Sequence, residues 1–146
     1  MNTTTTPYQI LERLVDFYQT FDLTAISRLG DVYSDQITFE DPIRRIEGLA
    51  ALQEYFSSLM QHVRSCRFVV LRYETTARSG FVEWEMYFSH AALNRGAAIK
   101  VNGVTVLSFD DKITYHRDYF DLGEMLYEHV PVMGVATRHL KRRLQS

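Results

Sequence analysis

Leu11, Leu14, Val15, Tyr18 and Phe21 recur at steps of three and four, one apolar stripe that predicts a helix running to about residue 21. Thr6-Pro7-Tyr8-Gln9 sets its start: Thr6 caps, Pro7 takes the first helical position, and Gln9 completes a capping box. Asp22 caps a shorter helix with apolar positions Leu23, Ile26 and Leu29, ending near Gly30. Gln36 to Pro42 alternates polar and apolar residues and reads as a short strand, ended by the proline. After Gly48 a third helix carries Leu49, Leu52, Phe56, Leu59 and Val63, the cleanest amphipathic signal in the chain.

From there the period falls to two. Strands are expected from Arg67 to Thr75, Phe81 to His90, Ala98 to Phe109 and Ile113 to Asp121, joined by three consecutive hairpin connections. Asn102-Gly103 is read as a glycine bulge inside one bent strand rather than a hairpin of its own. Pro131 breaks the last segment, and a basic helix over 131–146 puts Ala136, Leu140 and Leu144 on one side, with Arg138, Lys141, Arg142 and Arg143 elsewhere. Residues 1–6 are expected to be a flexible N-terminus. Helices first and an antiparallel meander later predict a single α+β domain over 1–146, with helices on one face of a strongly curved, mostly antiparallel sheet that leaves a conical interior.

Composition narrows the function. The 146 residues are 46% hydrophobic and 23% charged, with a formal net charge of −2. Such a balance lacks the positive field that non-specific nucleic-acid or membrane binding needs, so neither partner is expected. The four charges of the last helix are read as a solvated face complementing its C-terminus. One cysteine, Cys66, excludes an intrachain disulfide. The first seven residues lack the basic and apolar regions of a secretory signal, and no apolar run approaches membrane-spanning length, so a cytoplasmic chain is expected. Aromatics make up 13%, and such rings commonly wall apolar small-molecule sites.

Three motifs carry a family resemblance: Thr38-Phe39-Glu40-Asp41-Pro42 after two helices, Glu83-Trp84-Glu85-Met86 in a middle strand, and the run from Lys112 to Asp121 in the last. From about residue 8 to 130 the chain resembles the NTF2-like (cystatin-like) superfamily, in its SnoaL-like and ketosteroid isomerase-like branch. The resemblance implies a curved sheet wrapped around an apolar pocket, a homodimer through the outer sheet face, and a function among isomerases, epoxide hydrolases, cyclases, dehydratases and binding modules. Strand parity supplies a local check. Thr114, His116, Asp118 and Phe120 share one face, as do Val82, Trp84, Met86 and Phe88; Glu83, Glu85, Tyr87, Arg117 and Tyr119 belong outside.

Asp41 matches the general-base carboxylate of ketosteroid isomerases, which also need two donors for an oxyanion. By the family spacing the tyrosine donor falls on Phe17 and the protonated-aspartate donor on Thr105, while Tyr18, one position on, is expected to point elsewhere. Steroid isomerisation is therefore disfavoured, and Asp41 is expected to end a strand and cap the next turn. Asp118 resembles a residue of limonene-type epoxide hydrolases, but Trp84 and Met86 stand where their Arg and Asp would. What remains is His116 beside Asp118, an acid/base pair facing an apolar space, with Asp41 as a helper. Expected ligand walls are Trp84, Met86, Tyr18, Phe17 and Phe39, together with Phe56, Met60, Thr105 and Phe120. Each is also what a core would contain.

No metal is expected, since one His-x-Asp is a weak signal, and no cofactor is implied. His62, His90, His129 and His139 are read as surface or satisfied histidines. Two readings stay open. One is cofactor-free isomerase-, cyclase- or hydrolase-type chemistry on a small hydrophobic ligand. The other is a non-catalytic ligand-binding or dimerisation module.

Overall fold

The structure, a computed structural model, describes residues 4–145. Helix α1 (Pro7–Gln19) starts as its first residues dictate: Thr6 Oγ1 accepts from Gln9 N at 3.2 Å and Gln9 Oε1 accepts from Thr6 N at 2.9 Å. Thr6 is thus held as a cap rather than being part of a flexible lead; residues 1–3 lie outside the described range. Helix α2 (Leu23–Ser27) is capped by Asp22, as expected, and gives way to a 3₁₀ turn over Leu29–Asp31.

Strand β1 (Tyr33–Glu40) begins three residues before the alternation suggested and stops short of Asp41. A short strand absent from the sequence reading, β2 (Arg45–Glu47), folds back antiparallel on β1, and the Arg45 guanidinium joins Glu40 at 3.0 Å and Glu47 at 3.2 Å. Gly48, at φ 93°, turns the chain into α3 (Leu49–His62), a left-handed conformation that favours glycine.

Strands β3 (Ser65–Thr75), β4 (Ser79–Ser89), β5 (Ile99–Phe109) and β6 (Ile113–Phe120) form the expected meander. The six-stranded sheet has the order β2-β1-β6-β5-β4-β3; β1 and β6 run parallel and every other pair antiparallel. The sheet is curved and unclosed, and α1 and α3 cover its concave face. Leu11, Leu14, Leu29, Tyr33, Ile37, Leu52, Val82 and Leu107 are fully buried between the layers.

The bulge expected at Asn102-Gly103 is not there. Pairing of β4 with β5 runs unbroken through Trp84↔Gly103, and the irregularities fall at Tyr33/Thr38, Val70/Arg72 and Ser108/Phe109. Gly103 answers a different need: a Cβ there would lie 2.2 Å from Cη2 of Trp84, whose indole covers the glycine. Gly103→Ala should therefore displace the indole and cost about 2 kcal/mol of stability, the usual scale of overpacking, read as the shift of a denaturant midpoint.

After α4 (Leu122–Met125), helix α5 (Pro131–Leu144) is tied down by its polar side. Lys141 Nζ pairs with Glu128 at 2.8 Å and Asp121 at 3.4 Å, Arg138 donates to the Glu128 carbonyl at 2.7 Å, and Gly134 is buried against that carbonyl. The expected solvated basic face is thus partly spent on anchoring, while Val132, Leu140 and Leu144 face outward. Among the described residues no helix is long and apolar enough to cross a membrane.

Candidate active site

The concave sheet face carries the two alternating sets that parity assigned to it. Val82, Trp84, Met86 and Phe88 of β4 sit beside His116, Asp118 and Phe120 of β6, and the curvature keeps α1 and α3 from filling the space between them. The result is a cavity of about 240 Å³. Its walls are chiefly aromatic: Tyr18 stacks on Phe68 at 4.7 Å, Phe68 meets Trp84 edge-on at 5.5 Å, and Phe39 packs on the His116 ring at 4.7 Å.

A polar cluster lies among these rings. The Thr105 hydroxyl, fully buried and level with Asp118 in the β5–β6 ladder, touches three groups. It donates to Asp118 Oδ1 at 2.6 Å, accepts from the Trp84 indole N–H at 2.9 Å, and lies 2.8 Å from the Tyr18 hydroxyl. A threonine hydroxyl has one hydrogen and two lone pairs, and the indole nitrogen only donates. Thr105 therefore gives its hydrogen to Asp118 and takes the Tyr18 hydrogen on its second lone pair.

The same count settles the histidine. His116, with no exposed surface, places Nε2 2.7 Å from Asp118 Oδ1 and Nδ1 2.8 Å from the Tyr33 hydroxyl. With Asp118 as the carboxylate acceptor, Nε2 carries a hydrogen, and in the neutral ring Nδ1 then accepts from Tyr33. Burial, reinforced by the charge of Asp118, raises both tyrosines well above their ordinary range, so each stays a protonated donor. Two donors thus converge on Asp118 Oδ1, and no protein hydrogen bond reaches Oδ2 among the described residues.

Asp41 also lines the cavity but is engaged differently. Its Oδ1 accepts from Ile43 N at 2.7 Å and Arg44 N at 2.9 Å, capping the turn after β1, and its Oδ2 accepts from the Tyr55 hydroxyl at 3.0 Å. Burial and Asp41 together raise Tyr55 above its usual range.

Of the side chains singled out from sequence, Tyr18, Phe39, Phe56, Met60, Trp84, Met86, Phe120, His116, Asp118 and Asp41 border the cavity. Two do not. Phe17 is buried on the other side of α1 against Phe21 and Phe56, and Thr105 sits behind the wall as the junction of the cluster. Tyr18, expected to point elsewhere, is the tyrosine that α1 aims at Thr105 and His116; the family spacing landed one residue short, and one residue is about 100° of helix. Leu59 and Val63, expected as core, stand on the cavity wall.

Sequence reasoning missed Tyr33, Tyr55, Phe68, Cys66 and His90. Tyr33 lay outside the expected strand, and only the parallel pairing of β1 with β6 brings it to His116. Burial pushes the Cys66 thiol up to about 12. Among the described residues no group of three or more His, Cys, Asp or Glu is placed to hold a metal.

The outer sheet face is polar and largely self-paired. Glu83 meets Arg72 at 2.5 Å, Glu85 meets Lys100 at 2.9 Å, Arg117 lies over the Tyr119 ring at 4.7 Å, and the Tyr115 hydroxyl donates to Glu40.

Helices laid across a curved, unclosed six-stranded sheet are the fold of solved NTF2-like proteins. The chain belongs to the SnoaL-like domain family, whose model matches residues 11–116. It is similar to a ketosteroid isomerase-like fold protein from Catenulispora acidiphila, solved in complex with trimethylamine, at 17% identity and a TM-score of 0.70 over 84% of this chain and 92% of that one. It is also similar to a Jannaschia protein assigned as a SnoaL-like polyketide cyclase, at 12% identity and a TM-score of 0.69 over 84% and 92% of the chains. An LEH-like epoxide hydrolase of M. tuberculosis shares 19% identity with a TM-score of 0.66 over 84% and 87%. At these identities the likeness establishes the fold alone. No curated protein matches the chain.

Proposed function

We propose that this SnoaL-like domain binds a small, largely apolar molecule in the cavity and carries out cofactor-free acid/base chemistry on it, with Asp118 as proton acceptor and His116 as the residue that holds and polarises it. The observation that supports this reading is the unequal use of the two Asp118 oxygens. Oδ1 is fixed by Thr105 and His116, whereas Oδ2 has no protein partner although the carboxylate borders an apolar cavity. Asp118 is only partly buried, so this oxygen stays open to a ligand that enters the cavity. Asp41, with both oxygens engaged in the turn cap and by Tyr55, is a wall of the site rather than a second base.

The chemistry differs from that of the two better-defined activities on this fold. An enone isomerase needs free donors opposite its base, and here the Tyr18 hydroxyl is turned onto Thr105. Epoxide opening by a charged triad needs an Arg and an Asp where this chain has Trp84 and Met86. A panel of enones, terpene epoxides, aromatic polyketides and small apolar amines, read by thermal unfolding and then by mass spectrometry of the incubated mixtures, tests the reading. At least one class should raise the midpoint and yield a product. Stabilisation without conversion in every class would make the domain a binding module, and no stabilisation by any class would remove the ligand site altogether.

A further inference from the structure

The hydrogen-bond directions around Asp118 say more than that it accepts a proton; they restrict which ligand can face it. Every polar hydrogen in the cluster is already given away. The Trp84 N–H and the Tyr18 hydroxyl go to Thr105, the Thr105 hydroxyl and His116 Nε2–H go to Asp118 Oδ1, the Tyr33 hydroxyl goes to His116 Nδ1, and the Tyr55 hydroxyl goes to Asp41. The one lining imidazole with a spare N–H is His90, just past the end of β4, whose Nδ1 accepts from Ala92 N and which makes no hydrogen bond to the cluster around Asp118. A carbonyl or a developing oxyanion beside Asp118 would find no donor there and a carboxylate facing it.

A protonated nitrogen finds the reverse. Two carboxylates, Asp118 and Asp41, border the cavity, and among the described residues no lysine or arginine does. The rings of Tyr18, Phe39, Phe68, Trp84 and Phe120 present faces and edges to the same space, while the Arg44 guanidinium already lies over Tyr55 at 4.4 Å; aromatic faces attract a cation most strongly when water is excluded.

We propose that the cavity selects a small apolar amine in its ammonium form, with the N–H of the ligand donated to the unpartnered oxygen of Asp118 and its hydrocarbon part among the aromatic walls. The inference rests on the reading of this cavity as a ligand site and names the ligand class. It makes Asp118 the acceptor of a hydrogen from nitrogen, and makes the absence of a spare donor near it a device that rejects ketones of the same shape.

Cyclohexylamine, cyclohexanol and cyclohexanone have nearly the same size and differ in the group offered to Asp118. Calorimetric titration of the full chain with each at pH 7 should show the amine binding about tenfold or more tightly than either neutral compound, as for a desolvated cation among rings and a carboxylate. In Asp118→Asn, whose amide N–H takes the place of Oδ2 toward the cavity, that preference should be lost and cyclohexanone should bind at least as tightly as the amine. Ketone binding by the wild type equal to or tighter than that of the amine overturns the inference and leaves the cavity a small-molecule site. Binding of none of the three overturns it as well, and turns the proposed function itself back to the broader panel. The wild-type comparison stands without the variant, so a failure of Asp118→Asn to fold leaves the inference decided.

Discussion

Asp118→Asn should fold as the wild type does and lose turnover by about two to four orders of magnitude, the range assigned to a positioned general base. The hydrogen-bond directions explain why the two effects separate. Thr105 and His116 both donate to Oδ1, and an asparagine carbonyl accepts both in the same place. Its amide nitrogen then takes the position of Oδ2, so the group offered to the cavity changes from an acceptor to a donor while the cluster behind it stays intact. The charge-assisted bonds lost belong to a partly exposed carboxylate and are replaced by neutral ones at the same oxygen, so the stability change should stay under about 2 kcal/mol. Steady-state rates on a substrate from the panel, set beside the urea midpoints of the two proteins, check both halves. Unchanged turnover in a folded variant would dismiss Asp118 as the base.

Thr105→Val makes the opposite prediction, a large loss of stability from a nearly isosteric change. Valine removes the junction and leaves the Trp84 N–H and the Tyr18 hydroxyl buried without their acceptor, and Asp118 without one of its two donors. Unmet buried donors cost about 1–3 kcal/mol each, so the variant should lose about 4 kcal/mol, a fall in Tm on the order of 10 °C. Thr105→Ser keeps the hydroxyl and should recover most of the loss. A valine variant as stable as the serine one would mean that the hydroxyl joins nothing that matters.

Much of the domain was legible in the chain because it is written locally. The capping box at Thr6 and Gln9 starts α1 where expected, and period-two alternation gives four strands within two residues of their ends. Parity tied Trp84 to Met86 and His116 to Asp118, since side chains two apart on a strand point the same way, and apolar character with the family resemblance put both pairs on the inner side.

What escaped depends on partners far along the chain or on a phase that local pattern leaves open. Thr105 faces Asp118 only because an irregularity at Ser108/Phe109 shifts the β5–β6 register by one, and a one-residue slip changes which face every side chain meets. The apolar stripe already held Tyr18, but the family spacing fell on Phe17, and a hydrogen bond needs the residue itself, since one position is about 100° of helix. Tyr33 and Tyr55 reach His116 and Asp41 across 83 and 14 residues of sequence, through a parallel strand pair and a helix packed on the sheet. Gly103 was misread for the same reason: what forbids a side chain there is the indole of another strand, not the turn chemistry of its own.

The directions of the hydrogen bonds from Thr105 and His116 leave one oxygen of Asp118 open to the cavity. Nitrogen-15 NMR of His116 reads the second direction in the folded protein. The account predicts a neutral ring protonated at Nε2, bonded toward Asp118, with Nδ1 unprotonated and accepting from Tyr33. A ring protonated at Nδ1 with a bare Nε2 would require the hydrogen between His116 and Asp118 to sit on the carboxyl group, and would contradict Asp118 as the waiting base.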